Sequence, residues 1–297
     1  MCGVVGVWRF DGRPVDPASA RDMRDALTHR GPDDAGLWVE GPVALGHRRL
    51  SIIDLSEAGR MPMASPDGSV RAVFNGEVYN FRELRAELRA KGHPFHSETD
   101  SEVVLRAYEQ WGADCFDRFN GMFALAIWDA RERRMILARD AAGQKPLYYA
   151  YRPGKWLLLA STLAPLLRYA GSELDVDAEV VKDYVRFGFP PDTRAMLKDV
   201  YTVAPGTFTI VEQDSGPRSH PYFDLAAYAE QAPTRHGDER AVLEEFRGAM
   251  REAVRARLVA DVPLGAFLSG GLDSSLIVAL MAEQAPDAVK TYTIGFD

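Results

Sequence analysis

The chain has 297 residues, of which 46% are hydrophobic and 26% charged, ordinary proportions for a globular protein long enough to form two domains. They exclude disordered and fibrous classes, and the formal net charge of −8 leaves no broad basic surface for nucleic acid. Two cysteines, Cys2 and Cys115, cannot build a disulfide framework and show no paired metal-ligand spacing, which fits a reducing compartment.

The N-terminal stretch MCGVVGVWRFDGRP has too short an apolar run, broken by Arg9 and Asp11, to act as a secretory signal. No segment reaches bilayer-spanning length, so the cytoplasm is the expected location, without membrane partners. The first two thirds then read as short strands parted by Gly, Pro and Asp turns: CGVVGVWRF, GLWVEG, VALGHRRLSIID, VRAVFNGEVYN, FALAIWD, RMILARD, LYYAY and KWLLLAST. Two clear helices interrupt them. FRELRAELRAKG places Phe81, Leu84 and Leu88 at helical spacing, with Gly92 closing it. SEVVLRAYEQWG places Val103, Val104, Ala107 and Tyr108 on one face, acidic at its start and ended by Gly112. Such an order predicts an α+β layered domain over residues 2–205.

Beyond Tyr201 turn residues multiply, and residues 206–240 are expected to be a linker region, with Gln213 to Pro221 on the surface. Residues 241–297 then carry a helix, a strand (LGAFL), a Gly-rich turn, a helix and a second strand (KTYTIGF), the opening of a parallel α/β sheet. Too few residues follow Arg240 to complete such a sheet, so this second domain is expected to be incomplete.

Cys2 follows the initiator directly, and a side chain that small is compatible with removal of Met1. The exposed α-amino group, with a pKa of about 7.7–8, would then lie close enough to take the thiol proton. The resulting thiolate can attack a carboxamide carbon, form a thioester and release ammonia. Met-Cys-Gly alone is better read as a small buried residue near an unprocessed terminus. Its company supplies what a bound amino-acid amide needs. Arg49 offers a fork for an α-carboxylate, Asp100 and Glu77 offer carboxylates to an ammonium group, and Asn75 with the Gly76 N–H can face an oxyanion. Each has a plainer reading: Asn75-Gly76 is the strongest short hairpin signal, and HRGPDD at 29–34 reads as a Pro-bearing turn with Arg30 and Asp33 solvated.

The run MCGVVGV, RGPDD, HRRLSIIDLS, FNGEVYNF, TDSE and KPLYY resembles the class II, N-terminal-nucleophile glutamine amidotransferases over residues 2 to about 170, and in its wording the glutamine-hydrolysing asparagine synthetase family. The resemblance implies a four-layer αββα glutaminase fold, Cys2 as nucleophile and base, and Asn75 and Gly76 as the oxyanion hole. It also implies glutamine held by Arg49, Leu50, Ser51, Ile52, Ile53, Glu77 and Asp100. Between a strand and a helix, Ser269-Gly270-Gly271-Leu272-Asp273-Ser274-Ser275 lacks the lysine of a Walker loop, and by itself is an ordinary turn with a serine cap. As a whole it resembles the PP-loop of ATP pyrophosphatases, which implies ATP at Ser269 to Ser275, Leu268 and Ile294 flanking adenine, and Mg²⁺ on Asp273.

Glutamine hydrolysis and carboxylate adenylation together imply asparagine made from aspartate, ATP and ammonia. The implied partners are small molecules, with a homodimer as the assembly. The chain departs from the family's wording at Ala141 and Thr162, near where the two domains meet in that family, which bears on ammonia transfer more than on hydrolysis. A relative that has lost its glutaminase is disfavoured by Cys2, Arg49, Asn75 and Asp100 together; the alternatives are a related amidotransferase acting on another carboxylate and a glutamine-binding module without turnover. The six histidines, His29, His47, His93, His96, His220 and His236, show no ligand spacing.

Overall fold

The computed structural model describes residues 1–190, 193–231, 238–285 and 288–295. They divide into two compact units, Met1–Leu225 and Ala226–Asp297. In the first the elements run β1 (Gly3–Arg9), α1 (Pro17–Asp25), β2 (Asp34–Glu40), β3 (Val43–Arg49), β4 (Met63–Ala64), β5 (Val70–Val78), α2 (Phe81–Ala90) and α3 (Asp100–Trp111). They continue with β6 (Gly121–Asp129), β7 (Arg134–Arg139), β8 (Tyr148–Arg152), β9 (Trp156–Ala160), α4 (Leu163–Ala170), α5 (Ala178–Phe187), β10 (Val200–Thr202), β11 (Thr207–Glu212) and β12 (Gly216–Pro221).

The strands form two six-stranded sheets, ordered β10-β8-β9-β1-β3-β2 and β12-β11-β7-β6-β5-β4. Side chains alternate between the faces of a strand, so each sheet offers one face to the other and one to helices. Val4, Trp8, Val43 and Leu45 from the first sheet meet Val73, Ala124, Ala126, Met135 and Leu137 from the second in one buried cluster between them. The opposite face of the first sheet, through Val5, Val7, Ala44 and Leu158, packs on Ala20 and Met23 of α1 and Leu166 of α4. Helix α3 lies on the second sheet and α2 packs against it, giving the αββα layering. Having both faces covered explains why β6 reads as an unbroken apolar run.

Trp8 is fully buried between the sheets, edge-on to Phe10 and Trp128 with ring centroids 4.9 Å away in each case. Its replacement by alanine is expected to destabilise the first unit by about 3–5 kcal/mol, measured by denaturant unfolding.

Three helices of this unit escaped the periodicity reading: α1, α4 and α5. Helix α1 buries only Ala20 and Met23, too narrow a stripe to register as a period, although its start is plainly signalled. Asp16 accepts the Ala18 and Ser19 N–H groups, and Pro17 occupies the first turn. In α3 burial extends from Asp100 to Tyr108 on all sides rather than along one face. The surface-linker reading of Gln213–Pro221 is corrected: β12 pairs antiparallel with β11, from Glu212↔Gly216 to Thr207↔Pro221. As the sheet's edge strand β12 tolerates Pro217 and Pro221 and stays largely exposed, which is why it reads as linker.

Helix α6 (Leu225–Gln231) opens the second unit, with Leu225 at the boundary. That unit also contains α7 (Glu239–Ala256), β13 (Gly265–Phe267), α8 (Leu272–Gln284) and β14 (Lys290–Tyr292). β13 and β14 pair in parallel, as strand-turn-helix-strand patterning predicts. Phe246, Phe267, Leu272 and Ile294 are exposed here.

Candidate active site

A cavity of about 230 Å³ opens in the first unit, lined by Met1, Cys2, Arg49, Leu50, Ile52, Ile53, Asn75, Gly76, Glu77 and Asp100 together with Met61, Phe74, Thr99, Ser101 and Lys145. Strand periodicity explains most of this company. Val4 and Trp8 face the inter-sheet layer, so Cys2, in step with them, projects to the same side. In the same way Arg49 follows Val43 and Leu45, and Asn75 and Glu77 follow Val73. Gly3 pairs with Arg48, so Cys2 arrives beside Arg49 and Leu50. The Leu50 N–H lies 3.4 Å from the Cys2 thiol, and the thiol lies 3.6 Å from the Leu50 carbonyl.

The Asn75-Gly76 pair lies inside β5 opposite Ala124 and Phe123, and not at a hairpin turn. A Cβ on Gly76 would lie 2.2 Å from the Met122 carbonyl oxygen and 2.6 Å from Phe123 Cα, so only glycine lets β5 and β6 approach this closely. Backbone groups of β5 alternate between its two edges. Tyr79, just past the strand, donates to Asn120 on the β6 side. On the other side the Val70 carbonyl accepts from Ser65 and the Val78 N–H donates to Asp100 at 2.9 Å. Since β4 pairs only as far as Ala72, that second edge is open beyond it, and the alternation turns the Gly76 N–H along it. The Asn75 Nδ2 amide is buried with no hydrogen-bond partner among the described residues. A buried donor left unmade is costly, and one on a cavity wall marks where a ligand oxygen belongs.

Asp100 owes its position to a helix cap. Thr99 caps α3 by accepting the Glu102 N–H at 3.2 Å, and the Glu102 carboxylate reaches back past Thr99 to the His96 and Ser97 N–H groups, tying the preceding loop to the helix start. Asp100 is thereby the first residue of α3, fully buried, and burial pushes its carboxyl up to about 7 against the Val78 N–H, which lowers it, while the neighbouring Glu77 raises it. A carboxyl raised this far keeps its stabilising contribution at low pH and loses it as pH rises through about 7. Asp100→Asn is therefore expected to stabilise the protein relative to wild type more at pH 8.5 than at pH 5.5, checked by thermal unfolding at both.

Arg49 is buried, and its guanidinium donates to the carbonyls of Ile53, Asp54 and Ser56, so it fixes the loop that forms one cavity wall. Of that loop Ser51 does not line the cavity; its N–H donates to Asp33 at 2.8 Å. Arg30, half-buried, donates to the Cys2 carbonyl at 3.0 Å. The HRGPDD segment is thus tied to the site through both Arg30 and Asp33, beyond a solvated turn. Burial raises the Cys2 thiol, opposed by the Leu50 N–H and the nearby amino terminus, and burial lowers that amino group.

Sequence reasoning missed Lys145. The buried Asp140 carboxylate accepts the N–H groups of Ala142, Gln144 and Lys145, which folds the loop next to Ala141 and brings Lys145 to the cavity. KPLYY was visible as a motif, but nothing in its spacing shows where that loop turns. Thr162 stands at the start of α4 with its hydroxyl buried and unpaired.

In the second unit the turn from Leu268 to Gly271 joins β13 to α8. Gly270 has φ +81 and open space around it, and the Ser269 and Ser274 hydroxyls lie 3.0 Å apart. Among the described residues no side chain caps α8, which leaves its first N–H groups open to an anion, while the Ser274 hydroxyl donates to the Gly271 carbonyl at 3.1 Å. Leu268, hydrogen-bonded through its N–H to Tyr292, and Ile294 stand near the strand ends. Among the described residues no three His, Cys, Asp or Glu side chains gather for a metal, and His236 lies outside them. No described helix is long and apolar enough to cross a membrane.

The family described as "Glutamine amidotransferase domain" matches residues 1–223, and "Asparagine synthase" matches residues 245–297. The Bacillus subtilis protein named Asparagine synthetase [glutamine-hydrolyzing] 1 is 35% identical over all of this chain and 46% of its own length. Amidase chry2 of Gibberella zeae is 33% identical over all of this chain and 47% of its own. The chain thus spans about half the length of these curated relatives. The glutamine phosphoribosylpyrophosphate amidotransferase of B. subtilis, at 17% identity, superposes with a TM-score of 0.55 over 98% of this chain and 65% of that one, a likeness of fold. The chain belongs to the glutamine amidotransferase family, carrying behind that domain a partial match to the asparagine synthase family.

Proposed function

We propose that Cys2, freed as the terminal residue by loss of Met1, hydrolyses glutamine to glutamate and ammonia. The observation that carries this reading is the buried, partnerless Asn75 Nδ2 sharing one cavity with Cys2, Arg49 and Asp100. The cavity suits a single amino acid. Its α-ammonium goes to Asp100 and Glu77, and its α-carboxylate to the edge walled by Arg49, Leu50, Ile52 and Ile53. Ser51 supports this wall through Asp33.

In this reading the α-amine takes the thiol proton, and sulfur attacks the amide carbon while the carbonyl electrons move to an oxygen held by Asn75 Nδ2 and the Gly76 N–H. Collapse breaks the C–N bond, the amine returns its proton to the leaving nitrogen, and ammonia departs. Water then cleaves the thioester to glutamate and the thiol. Because an empty Asp100 holds its proton below about 7, the KM for glutamine falls as pH rises through that value. The test is glutamate and ammonia release from L-glutamine by protein whose loss of Met1 is verified by mass. Equal amounts of both are expected, and Asp100→Asn is expected to raise KM by about 100-fold or more and to flatten its pH dependence, as loss of a buried charge partner does. Absence of release by processed, folded protein rejects the reading in favour of a glutamine-binding module.

In the longer protein, by this proposal, the ammonia enters an ATP-driven amide synthesis. Ser269, Gly270, Gly271, Leu272, Asp273, Ser274 and Ser275 fit the phosphates, Leu268 and Ile294 flank adenine, and Asp273 offers one carboxylate to a Mg²⁺ otherwise held by phosphate oxygens. Bound ATP supplies activation of a carboxylate as its adenylate. Aspartate is the proposed acceptor, giving asparagine, AMP and pyrophosphate in a cytoplasmic homodimer. The alternative acceptor is another carboxylate, amidated by the same ammonia.

A further inference from the structure

His47 is the buried ionisable group that the hydrolysis does not use. It is 1% exposed, lies on β3 between Val4 of β1 and Gly36 of β2, and sends Nε2 to within 3.0 Å of the Phe74 carbonyl oxygen on β5. A carbonyl only accepts, so Nε2 carries the proton. Burial holds the imidazole pKa down to about 4, which keeps the ring neutral in this contact at neutral pH. The bond crosses from one sheet to the other. It lands on the open edge of β5, where β4 has ended and where the Phe74 carbonyl has no neighbouring strand to accept from. The next groups along that edge are the Gly76 N–H and the Val78 N–H held by Asp100.

We propose that His47 is a positioning residue for the oxyanion hole: its imidazole stands in for the absent strand, fixing the Phe74-Asn75-Gly76 backbone against the sheet that carries Cys2. This rests on the glutaminase reading. The donors aimed at the developing oxygen must be set before the reaction to within a fraction of an ångström, and an unsupported strand edge cannot do that. Cys2 and the donors sit on different sheets, so their separation depends on how the sheets are braced, and His47 joins them two residues from Cys2 on the paired strand. Removing the ring leaves a buried carbonyl without a partner and β5 free to shift, with the amino-acid contacts at Asp100 and Arg49 intact.

The test compares His47→Leu and His47→Gln with wild type in the full chain lacking Met1. One readout is glutamine turnover. The other is binding of the γ-aldehyde analogue of glutamine, in which the Cys2 sulfur bonds the aldehyde carbon, the thiol proton passes to the α-amine, and the oxygen enters the hole as an oxyanion. With leucine, kcat and aldehyde affinity are each expected to fall about 10- to 100-fold, the loss typical of a misplaced oxyanion donor, while KM and glutamate affinity stay within about 3-fold. Glutamine at this position keeps an N–H donor and is expected to return both to within about 5-fold of wild type, the range of a retained hydrogen bond. The proposal is overturned by a leucine variant with undiminished aldehyde affinity, by a folded glutamine variant as weak as the leucine one, or by unfolding of both, which would make the ring structural only. Wild-type protein that binds the aldehyde but leaves glutamine intact rejects the glutaminase reading alone, and the His47 comparison is then read on aldehyde affinity. Binding of neither compound by the wild type rejects both.

Discussion

Cys2→Ala is expected to abolish glutamine hydrolysis, with kcat reduced by at least about 10³-fold, because no other group in the cavity can form the thioester. Stability should hardly change. The thiol's contacts to Leu50 are long, at 3.4 and 3.6 Å, and a substitution that leaves neither cavity nor buried charge typically falls within about 1 kcal/mol. Cys2→Ser keeps the shape and loses nucleophilicity, so it too should bind glutamine without rapid turnover. Isothermal titration with glutamine and a coupled ammonia assay separate the two effects. Turnover by the alanine variant at the wild-type rate would remove Cys2 from the reaction.

Asn75→Ala carries the next largest effect. The amide has no partner in the empty site, so its removal relieves an unsatisfied buried donor and should leave the unfolding midpoint unchanged or higher. In the tetrahedral intermediate the same amide acquires a partner, and deleting one such donor costs about 10²- to 10³-fold in kcat. KM should stay near wild type, since the donor is engaged only after attack. A matched rise in KM with kcat preserved would instead place Asn75 in ground-state binding. Gly76→Ala is a poor probe of the same question, because its Cβ would collide with the Met122 carbonyl and displace β6.

Much of this site was legible as short strings, and its failures of legibility are physical. The TDSE string was legible as an acidic helix start, while the Thr99 cap and the burial of Asp100 behind it came only with the structure. Asn75-Gly76 misleads locally, because Asn-Gly suits a tight turn as well as it suits a strand that must lie against another backbone. Lys145 was hidden because its approach depends on the buried carboxylate of Asp140 gathering the N–H groups of the following loop, and that carboxylate reads in sequence as a turn residue. Arg49 was legible as a cavity residue, but its donors to Ile53, Asp54 and Ser56 give it a second task in holding the loop.

By itself the sequence determined which side chains share a face: the period of two puts Cys2 with Val4, His47 and Arg49 with Leu45, and Asn75 and Glu77 with Val73. It also determined the strand-turn-helix of the second unit, since Gly270 and the apolar flanks act locally. Only the tertiary structure decided that the faces bearing Cys2 and Asn75 meet, that β4 stops short of Phe74, and that His47 bridges the gap so left. Alternation is a property of one strand and is written in adjacent residues. Strand order, register and the stacking of two sheets depend on contacts between residues far apart in the chain, which no local pattern encodes.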